Sequence, residues 1–312
     1  MKRAFLFPGQ GAQFVGMGRD IAQAFPAADK IFKKANDIVA FDLTDICFEG
    51  PEEKLNTTTI SQPAIFTVSA AILEVIRTSP STAALIPDIT AGLSLGEYTA
   101  LFAAGAISFE DGLKLVQKRG QAMQAAADAT DGTMVSIIGL DEQKVKQVCD
   151  LAREDQVLEP VNFNCPGQIV VSGNTQACQR AAVLAEKNGA IKAIILAVAG
   201  AFHTKLISSA ADQLSQALNQ TSIKEPDNIK TIANTDTNYY KNAHDIQKGL
   251  IEQLTSPLLW QKCMEKLIEE GVEEFYEIGP GRVLTGLMRR INRKIKVNNI
   301  SSLDPLNNLL GY

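Results

Sequence analysis

The sequence predicts an α/β protein: a parallel-sheet, α/β-hydrolase-like core over residues 1–128 and 200–312, with a ferredoxin-like α+β subdomain inserted at 129–199. Three observations carry this expectation. Short apolar runs alternate with stretches of helical periodicity, the pattern of a mainly parallel sheet covered on both faces. From about Thr130 the order changes to β-α-β-β-α-β within roughly seventy residues. And one strand runs through a glycine-framed serine straight into a helix, the context of a nucleophile elbow.

The elements follow in order. "RAFLF" (3–7) is an apolar run stopped by Pro8 and Gly9, and reads as a buried strand before the glycine-bearing loop "GQGAQ" (9–13). Helical periodicity dominates from about Gly18 to Arg77, most clearly in "QPAIFTVSAAILEVI". "DITAG" (88–92) is a strand that leads through Ser94 into the helix "LGEYTALFAAG"; a second helix covers about Phe109 to Ala126. In the insert, "GTMVSIIG", "LEPVNFN", "GQIVVSG" and "AIKAIILAV" read as strands, with "DEQKVKQVCDLARE" and "TQACQRAAVLAEKNG" as helices. Beyond it come the strand "IKTIAN" (229–234), a helix near 243–254, a helix around Trp260, the strand "EFYEIG" (274–279) and a last strand near 295–300.

Composition excludes several classes. With 312 residues, 46% of them hydrophobic, the chain can bury a core without a metal or disulfide staple. The longest apolar run, "AIILAVAGAF" (193–202), is too short to span a membrane and reads as a buried strand running into a loop. "AFLF" before Pro8 is too short for a signal peptide, so a cytoplasmic protein is expected. The five cysteines are odd in number and lack C-x-x-C spacing, against a disulfide framework or a zinc site. A net charge of −5 disfavours nucleic-acid binding. Residues 282–296 run against that balance, with Arg282, Arg289, Arg290, Arg293, Lys294 and Lys296 and no acid. The stretch is either a solvated helix end or a docking patch for an acidic partner.

Gly92-Leu93-Ser94-Leu95-Gly96 has two readings. As G-x-S-x-G it is a nucleophile elbow, in which a Cβ at either glycine would crowd the backbone of a tight turn. As Ser94-x-x-Glu97 it is a capping box that merely starts a helix. The capping box needs neither glycine. A nucleophilic serine also needs a base within hydrogen-bond reach, and there are only two histidines. His244, in "NAHDIQ", sits at a helix start with no apolar neighbours and reads as surface. His203 follows a strand in a glycine-bearing loop and is either a packed loop residue or the base.

Seven segments, in order, resemble the malonyl-CoA:acyl carrier protein transacylase family, acyltransferases of fatty acid and polyketide synthesis, over nearly the whole chain. They are "FPGQGAQ" (7–13), "GLSLGEYTAL" (92–101), "KRGQAMQ" (118–124), "PVNFNCPGQIVVSG" (160–173), "GAFH" (200–203), "QLTSPLLW" (253–260) and "EIGPG" (277–281). The resemblance implies that Ser94 is the nucleophile and His203 its base. No carboxylate completes a triad; a backbone carbonyl near Gln253 orients the imidazole instead. Arg119, by itself an ordinary solvated helix residue, would hold the free carboxylate of a malonyl group through two parallel hydrogen bonds. The backbone N–H groups of Gln10 and Leu95 would form the oxyanion hole. Asn162 would line the substrate cleft, and Phe202 resembles members that take malonyl rather than methylmalonyl.

The same resemblance implies malonyl-CoA as substrate and acyl carrier protein as partner; no metal or organic cofactor is expected, since the thioester supplies the driving force, and a monomer is the default expectation where the sequence does not give an oligomeric state. Two departures stand out: Leu93 where histidine is usual, and Ala12 where serine is common. The alternatives are a discrete polyketide synthase acyltransferase, a serine hydrolase or thioesterase passing the acyl group to water, and a carrier-protein binding module without catalysis.

Overall fold

A computed structural model describes residues 1–225 and 228–312. Nine strands are present in the described residues: β1 (Lys2–Phe7), β2 (Ile89–Gly92), β3 (Gly132–Ile138), β4 (Leu158–Cys165), β5 (Gln168–Asn174), β6 (Lys192–Ile195), β7 (Lys230–Thr231), β8 (Val272–Ile278) and β9 (Val297–Ile300). Five form a sheet in the order β7-β2-β1-β8-β9, and every neighbouring pair is parallel. The other four form a separate antiparallel sheet in the order β4-β5-β3-β6. The mixed α/β architecture and the β-α-β-β-α-β succession between 132 and 195 are as the sequence predicts.

The parallel sheet is buried on both faces, which is why its central strands read as unbroken apolar runs. Ala4, Phe5, Leu6 and Phe7 of β1 are all buried, and so are all four residues of β2. Phe7 pairs with Gly92, so the two strands end side by side. The loops that follow them, after Phe7 and after Gly92, therefore leave the sheet together at its carboxyl edge, where open α/β sheets place their ligands.

The helical stretch expected over 18–77 resolves into five helices, the last being Thr58–Thr78. That helix alters one expectation. By length and composition it would suffice to cross a membrane, although the sequence reading found no apolar run of that length. Ser61, Gln62, Thr67 and Ser69 interrupt its apolar run in the sequence, yet all four lie buried in the protein with the residues around them. It is a core helix, with 83% of its most apolar stretch buried.

The antiparallel sheet carries the helices Glu142–Ala152 and Thr175–Lys187 on one face, closing a small core around Val135, Val145, Val171 and Ala181. Its other face gives Met134, Val161 and Val170 to the main core. Here a second expectation fails. The run at 193–202 is not a buried strand: β6 is only four residues long, with Ile194 37% and Ile195 52% exposed. It lies at the sheet edge and, among the described residues, pairs only with β3, so its apolar side chains have a neighbouring strand on one side alone. The strand expected at 229–234 likewise shortens to the two residues of β7.

Candidate active site

Ser94 sits just beyond β2, at the turn into the helix Gly96–Ala103, with φ of 52°. That left-handed conformation is costly for a residue with a side chain and persists only where surroundings impose it. The two flanking glycines make the turn possible. A Cβ on Gly92 would overlap the Gly96 carbonyl, and one on Gly96 would overlap the Phe7 carbonyl. The capping-box reading does not hold. Ser94 makes no side-chain cap to this helix, and Glu97 turns its carboxylate away to other elements.

His203, also at positive φ (63°), is buried in the loop after β6. Its Nδ1 lies 2.7 Å from the main-chain oxygen of Gln253. A carbonyl only accepts, so Nδ1 carries the proton and Nε2 is left bare. Nε2 faces Ser94 Oγ at 3.1 Å. Burial, and then the Arg119 charge, lower the imidazole pKa to about 4 despite the opposing Gln253 bond. The ring is therefore neutral and ready to accept a proton. His244, by contrast, is exposed at the start of the helix Ala243–Gln253.

Arg119 is not a solvated helix residue. It is 1% exposed on the helix Phe109–Asp128. Its Nη1 donates to Gln62 Oε1 at 2.9 Å, and its Nη2 donates to both Ser94 Oγ and Gln253 Oε1 at 2.9 Å. Nε has no partner, and no carboxylate lies within ion-pair distance of this guanidinium among the described residues. A buried cation beside the serine without a direct counter-ion has the charge and donors to take an anionic ligand.

Gln253, fully buried at the end of its helix, joins these groups. Its Nε2 donates to the Ser94 carbonyl at 3.0 Å and to Glu97 Oε2 at 2.8 Å. Gln10 follows Gly9, where a Cβ would run into the Leu93 carbonyl, so this loop lies directly against the serine turn. Among the described residues the N–H groups of Gln10 and Leu95 meet no acceptor in the protein. Phe202 is buried beside His203, in the main core. Asn162 lies on β4, bridged to Leu258, with a buried Oδ1 that has no hydrogen-bond partner among the described residues; no hydrogen bond joins it to Ser94 or His203. Leu93 packs against the smaller apolar cluster behind the parallel sheet.

Sequence reasoning missed Asn234. It is fully buried, accepts the Ser94 N–H on Oδ1 (2.8 Å) and donates from Nδ2 to the Gly92 carbonyl (2.8 Å). It thus clamps both sides of the strained turn. Nothing in its local sequence signals this, because its partners are 140 and 142 residues away.

A sequence profile described as "Acyl transferase domain" matches residues 4–304. The chain belongs to that acyl transferase family. The family resemblance read from the seven segments is borne out. The malonyl CoA-acyl carrier protein transacylase of Bacillus subtilis strain 168 is 44% identical over 301 residues, covering 96% of this chain and 93% of that protein. The acyl-carrier-protein S-malonyltransferase structure from Bartonella henselae superposes with a TM-score of 0.95 at 37% identity, covering 100% of both chains. A malonyl-transacylase solved in complex with a type II polyketide synthase acyl carrier protein superposes with a TM-score of 0.94 at 38% identity, covering 100% of this chain and 99% of that one. The acyltransferase relatives therefore match the whole fold and not the serine turn alone.

Proposed function

We propose that this acyltransferase moves a malonyl group from malonyl-CoA to the phosphopantetheine thiol of an acyl carrier protein, through a malonyl ester on Ser94. One observation carries the reading: Ser94 Oγ lies at once 3.1 Å from a neutral imidazole and 2.9 Å from a buried guanidinium. The first arrangement activates a nucleophile, and the second selects an acyl group with its own carboxylate.

In the first half, Ser94 Oγ attacks the thioester carbonyl while His203 Nε2 takes its proton. The oxyanion is held by the N–H groups of Gln10 and Leu95. The C–S bond then breaks, and CoA leaves with the proton from His203. In the second half the carrier thiol gives its proton to His203 and attacks the ester, and Ser94 leaves with that proton. Gln253 holds the imidazole through its main-chain oxygen and Arg119 through its side chain. Asn162 lines the cleft with its unpartnered Oδ1, and Phe202 crowds a methyl branch on the acyl group. In this reading residues 1–128 and 200–312 are an α/β-hydrolase-like catalytic core and 129–199 a ferredoxin-like insert.

Intact mass after brief incubation with malonyl-CoA tests the reading. A malonyl adduct is expected, absent in Ser94→Ala, and discharged by carrier protein onto its thiol. Rapid CoA release with no adduct and no acylated carrier would make water the acceptor and the protein a hydrolase. Arg119→Ala is expected to lower kcat/KM for malonyl-CoA by at least about a hundredfold and to move acetyl-CoA far less. Equal losses on both substrates would remove Arg119 from acyl selection. The polyketide alternative is supported by the likeness to the transacylase solved with a type II polyketide carrier protein. Rates with fatty acid and polyketide carrier proteins compared side by side would separate the two.

A further inference from the structure

Two carboxylates are fully buried among the described residues, Glu97 and Glu277. Glu277 accepts the N–H groups of Leu284 and Thr285 and so closes the start of the helix Val283–Ile291, a structural task. Glu97 does nothing comparable for its own helix. Its three donors all come from distant chain: the Tyr240 hydroxyl, the Asn234 N–H at 3.2 Å and Gln253 Nε2 at 2.8 Å. Burial raises its pKa to about 7 against the pull of these donors and of Arg119. The other titratable groups around it are Tyr98, Tyr240 and Cys263, all raised by burial and held neutral.

The consequence lies in Gln253. With its amide reversed, Oε1 would face the Glu97 carboxylate and the Ser94 carbonyl, and Nε2 would face a guanidinium. Both faces would repel. Glu97 therefore dictates that Oε1 points to Arg119. It is also the buried negative charge closest to that cation, separated from it by one amide.

Resting on the transferase reading above, we infer that Glu97 is a positioning residue and the indirect counter-charge of Arg119: it locks the Gln253 side chain that carries the guanidinium, and its charge limits how tightly the site holds a second carboxylate. An acyl group that must leave on every turnover is not served by maximal ground-state affinity. Glu97 gives up some of that affinity.

The test measures binding in a Ser94→Ala background, where no chemistry intervenes, by calorimetry at pH 8 with malonyl-CoA and acetyl-CoA. Glu97→Gln keeps the side-chain shape and the bond to Gln253 but removes the charge. Its malonyl-CoA Kd is expected to fall about fivefold while the acetyl-CoA Kd stays within about twofold. A gain of affinity confined to the charged acyl group is something a packing role would not produce. Weaker or unchanged malonyl binding, or parallel shifts for both ligands, would overturn the inference. Tyr240→Phe provides a second variant should Glu97→Gln fail to fold. It removes a donor that favours the charged carboxylate, so Glu97 is less ionised at pH 8 and malonyl binding is expected to tighten about twofold; a weakening or no change would count against Glu97. Failure of the underlying reading would show earlier, in the Ser94→Ala parent: equal affinities for the two thioesters there would remove the anion site, and this inference with it.

Discussion

At the scale of single residues the site is governed by burial. His203 is an ordinary imidazole placed where a positive charge is poorly solvated and where Arg119 already supplies one. Its pKa near 4 makes a signed prediction. A base works when unprotonated, so lowering its pKa extends activity toward acid. The kcat/KM for malonyl-CoA should therefore survive as pH falls through 6.5, the usual histidine range, and collapse only as pH falls through about 4. Initial rates from pH 3.5 to 8 check this, with protein stability followed in parallel; an acid limb centred near 6.5 would mean that the imidazole is solvated in the working enzyme. Arg119 teaches a related lesson about legibility. A single arginine on an amphipathic helix gives no local sign of burial, and only the resemblance pointed to it. Its 1% exposure depends on Gln62 and Gln253, which lie 57 and 134 residues away in the chain.

At the scale of elements, the serine turn was readable because its requirement is local. Two close backbone approaches demand two glycines, and both stand at fixed offsets from Ser94. The clamp across that turn was not readable, because Asn234 arrives from beyond β7 at the far edge of the sheet. Removing it gives a prediction for the element as a whole. Asn234→Ala leaves the half-buried Ser94 N–H and the buried Gly92 carbonyl without this partner, at up to about 1–3 kcal/mol each. The variant should lose about 2–4 kcal/mol in denaturant unfolding and at least tenfold in kcat, since the left-handed Ser94 loses its support. Full activity with lowered stability would show that the glycines alone hold the turn. The misreading of β6 has the opposite cause. Apolar content reports that side chains are hydrophobic, and a sheet edge still leaves them exposed when no neighbouring strand covers them. The central strands β1 and β2 of the parallel sheet were legible because they are buried between covered faces, whereas β7 at its edge shortened like β6.

At the scale of the whole molecule, Gln10, Ser94, Arg119, His203 and Gln253 come to the site from five separate parts of the chain. Two strand ends bring the Gln10 loop and Ser94 together, and residues 119, 203 and 253 converge on them from two helices and a loop. A carrier protein must bring a tethered thiol to that point, so the surface field matters beyond the site. The chain is acidic overall, and the acidic partner implied by the transferase reading needs a local exception. The basic stretch supplies one: Pro166, Arg289, Arg290 and Arg293 line a surface cavity of about 480 Å³. The three arginines differ in what they are free to do. Arg290 reaches the carbonyls of Pro166 and Gly167 and the Gln168 side chain, tying the helix Val283–Ile291 to the β4–β5 turn. Arg289 and Arg293 are exposed and take part in no ion pair among the described residues. The prediction separates them. Charge reversal of Arg289 and Arg293 together should raise KM for carrier protein about tenfold, mostly through slower association, and leave KM for malonyl-CoA unchanged. Added salt should weaken carrier binding to the unaltered protein and affect the doubly reversed variant less. Arg290→Glu should instead lower thermal stability, because it sets a carboxylate against two carbonyls. A carrier KM indifferent to reversal at Arg289 and Arg293 would move the docking surface elsewhere on the molecule.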